Sequence, residues 1–180
     1  MTDLPLHAPP STPPPTPREA AAALIVATAE ALLHTPYSEQ SPAGSDGDGH
    51  DWMPGDPWPT RVDCSGEVVV CLRRAGFFSI SNGNANDQWR QHLGGIVHPS
   101  QPLLPGDVGC FLGSDNTPGY AGHTGIVAEY DHETRTGLLL NAYDSERNNC
   151  EIPFNRDQVH NLSNGLGVVG FYRPANRVAA

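Results

Sequence analysis

Asp63-Cys64-Ser65-Gly66-Glu67-Val68-Val69-Val70-Cys71-Leu72-Arg73-Arg74-Ala75-Gly76 is the stretch on which the fold turns. It carries the end signals of a helix: an acidic residue near the start, two arginines in the last turn and a glycine just beyond. Cys64 therefore stands at or just before a helix N-terminus. A thiol reacts as its thiolate, and the amides of a helix start lower the pKa of a cysteine placed there. Those amides are also placed to donate hydrogen bonds to a developing oxyanion. Gly66 gives the turn room and lets another backbone approach. Spacing alone leaves a second reading open, in which Cys64 is an inert buried thiol. Cys71, seven residues further along the same face, fits that description.

Outward from this helix the chain divides by composition. Residues 1 to 17 hold seven of the eighteen prolines and form a flexible, proline-rich leader. Residues 18 to 180 are expected to form a single domain, since 180 residues suffice for one substantial core and are short for two. Arg18 to His34 is rich in Ala and Leu and predicts a largely buried helix, ended by Thr35-Pro36. Ser38 to Val62 predicts a long surface loop with Trp52 and Trp58 in it. Within it, Asp46 to Asp51 resembles a calcium loop but has no Glu at the twelfth position, so it reads as solvated acidic loop.

After the Cys64 helix, Asn84 to His92 predicts a short helix, and Leu103 to Leu112 a turn entering a strand. Gly122 to Tyr130, Gly137 to Tyr143 and Gly167 to Tyr172 are rich in β-formers and bounded by turn residues. Helices first and an antiparallel sheet after them is the α+β pattern.

A reactive cysteine needs a base held on a rigid element. Of eight histidines, His123 alone opens a convincing strand, with Gly122 and Gly125 leaving space beside its backbone. A third group commonly orients such an imidazole by accepting from its second nitrogen. Alternation along 137–143 puts Leu139, Asn141 and Tyr143 on one face, so Asn141 is a polar residue among apolar ones and the candidate acceptor. Asp144 is the reserve. The bland alternative makes Asn141 a strand-end turn residue.

Taken in order, Tyr37, Asp63-Cys64-Ser65-Gly66, the segment Asn86 to Gln88, Leu104-Pro105-Gly106-Asp107, Gly122-His123-Thr124-Gly125-Ile126-Val127 and Asn141-Ala142 resemble the NlpC/P60 family of papain-like cysteine peptidases. The match runs over about residues 20 to 173. It implies helices, with the nucleophile at a helix N-terminus, packed on an antiparallel sheet or half-barrel. The activity it implies is hydrolysis of an amide in peptidoglycan stem peptides, commonly between a D-isoglutamyl residue and a diamino acid, through a Cys64 acyl-enzyme with His123 as base and no cofactor or metal. Tyr37 matches the family tyrosine whose hydroxyl lies near the oxyanion site, with Asp63 and Ser65 flanking the nucleophile. Asn141 matches the third polar position. The sequence departs from the family in its approach to the nucleophile, where the loop 38–62 reshapes the groove; Trp52, Trp58 and Gln88 are its candidate lining.

Ten arginines and no lysine face twenty acidic residues, for a net charge of −10, which disfavours nucleic acid or an anionic membrane as partner. No apolar run approaches the ~20 residues of a membrane span. The start lacks the basic and apolar regions of a secretory signal, so the expectation is synthesis in the cytoplasm and delivery to a wall by another route, as a phage or virion hydrolase or an injected effector with a matching immunity protein. Four cysteines without a C-x-x-C pair suggest neither a disulfide scaffold nor a zinc site. Two rivals stand beside the peptidase. One is a CHAP-type N-acetylmuramoyl-L-alanine amidase, which shares the Cys-then-His order. The other is an inactive copy of the fold serving as a binding or assembly module.

Overall fold

The computed structural model of the chain describes residues 14–38, 51–114, 116–160 and 166–175. Most of the proline-rich leader, and the acidic stretch from Asp46 up to Asp51, lie outside the described residues. Among the described residues three helices precede the sheet: α1 (Pro17–Ala31), α2 (Cys64–Arg74) and α3 (Ala85–Gln91). Six strands follow: β1 (Gly95–Ile96), β2 (Val108–Leu112), β3 (Ala121–Asp131), β4 (Thr136–Asp144), β5 (Asn148–Asn155) and β6 (Val168–Arg173). They form one open sheet in the order β1-β6-β2-β3-β4-β5, with every pair antiparallel. The architecture is α+β.

α1 starts where its chemistry dictates. Thr16 caps it and exchanges hydrogen bonds with Glu19 in a capping box, and Pro17 takes the first position, where a missing N–H costs nothing. The sequence predicts a largely buried helix, but α1 buries only the stripe Ile25, Thr28, Ala29 and, just past its end, Leu32. Alanine tolerates either environment, so an alanine-rich run fixes helicity without fixing depth. The helix also stops three residues early, at Ala31, in a turn where His34 takes a positive φ of 69°.

α2 is the buried one. Ten of its eleven residues, Cys64 to Arg73, are shielded from solvent, and it packs against α1, α3, β3 and β4. Asp63 caps it, its Oδ1 accepting from the Gly66 amide at 2.5 Å and the Ser65 hydroxyl at 3.0 Å. The sheet is covered on both sides. On the helical side Val108, Cys110, Ile126, Leu140 and Tyr172 meet Ile25, Val68 and Leu72. On the other, Val97, Leu103, Phe111, Val127, Leu139, Phe154 and Phe171 form a second cluster.

Two strands escape the sequence reading. β5 contains Asn148, Asn149 and Pro153, all poor strand formers, yet it pairs with β4 over its whole length. It is the last strand of the sheet, and an edge position tolerates a proline because one side of the backbone has no partner to bond. β1 has only two residues and lies at the other edge. The Leu104-Pro105-Gly106-Asp107 turn ties the layers together. Gly106 has φ +85° and lies against α1, where a Cβ would come 3.0 Å from Ala22 Cα. Buried Asp107 takes two hydrogen bonds from Arg173 of β6, at 2.7 and 2.8 Å.

Candidate active site

The first turn of α2 points at β3. The backbone amides of Thr124, which follows His123, and of Ser65 both face the Cys64 sulfur. Thr124 is held in place by its hydroxyl, which donates to the Gly109 carbonyl of β2 at 2.8 Å. The Cys64 sulfur therefore meets the backbone of β3 beside the candidate base.

On β3 and β4, the imidazole of His123 and the amide of Asn141 are 2.7 Å apart, Nε2 to Oδ1, and both are buried. Asn141 Nδ2 donates in turn to the Cys150 carbonyl across β4 and β5 at 3.3 Å. That bond orients the amide with its oxygen toward His123, so Nε2 carries the proton and Nδ1 is left with a lone pair, free to act as base. Gly125 makes the pairing possible. A Cβ there would stand 2.7 Å from Asn141 Cβ, so only glycine lets Asn141 lie across β3. Asp144, the reserve acceptor, acts on His123 only through its field; its Oδ1 accepts from the amides of Glu146 and Arg147.

Protonation departs from the expectation of a thiol acidified by its helix. Burial pushes the Cys64 thiol up to about 12, with the Asp63 carboxylate adding to the rise. The amides of Thr124 and Ser65 act the other way and do not prevail, because desolvation of a buried charge outweighs a few backbone dipoles. Burial likewise pulls His123 below its ordinary value, against the Asn141 hydrogen bond and the fields of Asp144 and Asp63. Thiol and imidazole are thus both neutral at rest.

The remaining expected site residues divide. Asp63 and Ser65 form the cap that shapes the nucleophile turn. Tyr37 is half-buried and bridges to Val62, two residues before Cys64, while its amide donates to Asn148 Oδ1 at 3.1 Å. Gln88 is fully enclosed, with Nε2 donating to the Ser65 carbonyl at 2.8 Å; it braces α3 against α2 and faces no groove. Trp52 and Trp58 are held by the arginines of the last turn of α2, which ends about 15 Å along the helix from Cys64. There Trp52's carbonyl accepts from Arg73, and the Arg74 guanidinium lies 5.3 Å from the Trp58 ring.

The structure also adds residues with no signature in the motifs. Tyr143 meets the His123 ring edge-on, 5.4 Å between centroids, and Arg147 stacks on Tyr143 at 4.8 Å. Phe111 flanks the imidazole at 6.4 Å. Strand alternation puts Tyr143 on Asn141's face, which is the signal that could have found it. Glu67, one turn beyond Cys64, is fully buried and accepts from the Ala142 amide at 2.5 Å. A cavity of about 330 Å³ lies elsewhere, between α1 and the 105–107 turn, and touches none of the site residues.

The α+β fold that carries these residues is shared with known structures. Two solved structures resemble the chain: NlpC1 of Trichomonas vaginalis, with TM-score 0.53 and 19% identity over 87% of this chain and 43% of that one, and NlpC2 of the same organism, with 0.52 and 18% over 90% and 48%. The chain thus spans less than half the length of either. The likeness in fold agrees with the NlpC/P60 resemblance of the motifs. No protein-family model matches the sequence, and no curated protein matches it.

Proposed function

We propose that the protein is a cysteine peptidase that hydrolyses an amide bond in peptidoglycan stem peptides, between a D-isoglutamyl residue and the diamino acid. The observation that carries this reading is the His123 Nε2 to Asn141 Oδ1 hydrogen bond, which leaves Nδ1 available as a base on β3, the strand whose Thr124 amide faces the Cys64 sulfur. The scissile bond itself is inferred from the NlpC/P60 resemblance. With both groups neutral at rest, His123 takes the thiol proton as Cys64 Sγ attacks the carbonyl. The imidazolium then protonates the leaving amine, and His123 next deprotonates the water that cleaves the thioester. Amides at the α2 start are the oxyanion donors in this scheme, and Asn141 keeps the imidazole oriented throughout.

Mass spectrometry of peptidoglycan fragments after digestion tests the reading. The expected products of the wild type are stem peptides cut after D-isoglutamate, with Cys64→Ala reducing the yield at least ~1,000-fold. Release of whole stem peptides from glycan would instead identify the amidase. A second reading, the non-catalytic module, draws on the enclosure of Cys64 and its raised pKa. Under that reading no fragment appears, and Cys64→Ala keeps the full biological effect.

A further inference from the structure

Glu67 occupies a position where burial of an acid is expensive. It is wholly enclosed between α2 and the β4–β5 hairpin, and one oxygen accepts from the Ala142 amide. Ala142 directly follows Asn141, so a single side chain links the turn that carries the nucleophile to the strand that orients the base. The other oxygen has no hydrogen-bond partner. Beside it stands Asn149, cross-strand from Ala142 and fully buried, whose side-chain amide makes no close hydrogen bond but, like the Ala142 N–H, favours the ionised carboxyl; burial outweighs both. An ionised carboxylate would be a charge removed from water and faced only by these two neutral amides. A protonated one supplies the missing donor for the Asn149 oxygen.

The groups that share its field are thiols: Cys64 and Cys71 on α2 and Cys150 on β5. From the elements packed against α2, α1 presents Ile25, Thr28, Ala29 and Leu32, α3 presents Gln88, and β3 presents Thr124 and the neutral His123. β4 carries Asn141, and beyond it Tyr143 and Asp144 at the rim. Arg147, the cation of the β4–β5 turn, lies over Tyr143 and is not among the groups that act on Glu67, so no cation in this set holds Glu67 ionised.

We propose that Glu67 is a positioning residue: its carboxyl ties the first turn of α2 to the strand bearing Asn141, and its ionisation in alkaline solution sets a negative charge one turn from Cys64 and slows that thiol. Burial pushes its carboxyl up to about 8, which sets where the change falls. Because the folded value lies above the ordinary 4.5, the folded state holds the extra proton. The stability this contributes is full below about 4.5 and is lost as pH rises through about 8. Ionised Glu67 also opposes thiolate formation one turn away. The inference rests on Cys64 being the reactive thiol of the proposed peptidase.

Labelling of Cys64 by iodoacetamide, resolved from the other thiols by peptide mass spectrometry, tests this without any substrate. Glu67→Gln copies the neutral acid in shape and hydrogen bonding. Its labelling rate is expected to match the wild type within about twofold at pH 6.5 and to exceed it at least about threefold at pH 9, with the divergence centred near pH 8. A rate ratio that does not change with pH overturns the proposal. Glu67→Leu, which removes the tie, is expected to lower kcat on stem peptide about tenfold with KM little changed, and Gln to restore it. A leucine variant as active as wild type would also overturn it. Divergent labelling without peptide hydrolysis by any variant would sink the peptidase reading and leave the role of Glu67 standing.

Discussion

The two ends of α2 are both hydrogen-bonded, yet they do different things. At the start, Asp63 caps the helix while Cys64, Ser65 and Glu67 face β3, α3 and β4. At the finish, Arg73 donates to the Trp52 carbonyl and to Asn82, and Arg74 lies over Trp58, which meets Trp52 edge-on at 6.1 Å. Both ends place charge as the helix dipole favours, acidic at the start and basic at the finish. The dipole therefore does not mark the site. What separates the ends is the opposing surface: the start faces a strand pair carrying a base and its orienting amide, while the finish faces a loop that closes over the core.

That contrast can be broken in order of expected effect. Replacing Asn141 with Ala removes the acceptor that orients His123 and leaves a buried imidazole N–H unpaired. Activity on stem peptide is expected to fall roughly 10–100-fold, and stability by about 1–3 kcal/mol, read from kcat/KM and chemical denaturation. An unchanged kcat would show that the start of α2 works without this partner. Gly125→Ala approaches the same point from the backbone, forcing a Cβ to within 2.7 Å of Asn141 Cβ. The expected outcome is a loss of about 1–3 kcal/mol and a drop in kcat/KM smaller than that of Asn141→Ala.

Smallest of all should be Trp58→Ala at the other end of the helix. The ring is 38% exposed and its contact with Arg74 is worth ~0.5–1 kcal/mol. A lowered Tm with kcat/KM held within about twofold would agree with its place far from Cys64. A large rise in KM would mean that substrate reaches the far end of α2, and the two ends would then belong to one groove.

Much of this arrangement was legible in the residues. The acidic residue near the start of α2, the arginines at its end and the alternation that singles out Asn141 all act between near neighbours in the chain, so their spacing reveals them. β5 was not legible, because a strand containing Asn149 and Pro153 exists only by virtue of its place at the sheet edge. Gln88 and the two tryptophans look like groove residues from their chemistry. Only packing shows that Gln88 turns inward to Ser65 and that Trp52 serves Arg73.

The sequence by itself determined the helix whose N-terminus holds Cys64, the strand that opens with His123 and the face on which Asn141 lies. Each follows from local geometry: capping, the 3.6-residue turn and the two-residue pleat. The tertiary structure alone decided that Asn141 grips Nε2, that Glu67 reaches Ala142, and that Cys64 rests as a thiol although it sits at a helix start. The physical reason is desolvation, which depends on everything packed around a group and here outweighs the helix dipole that the sequence displays.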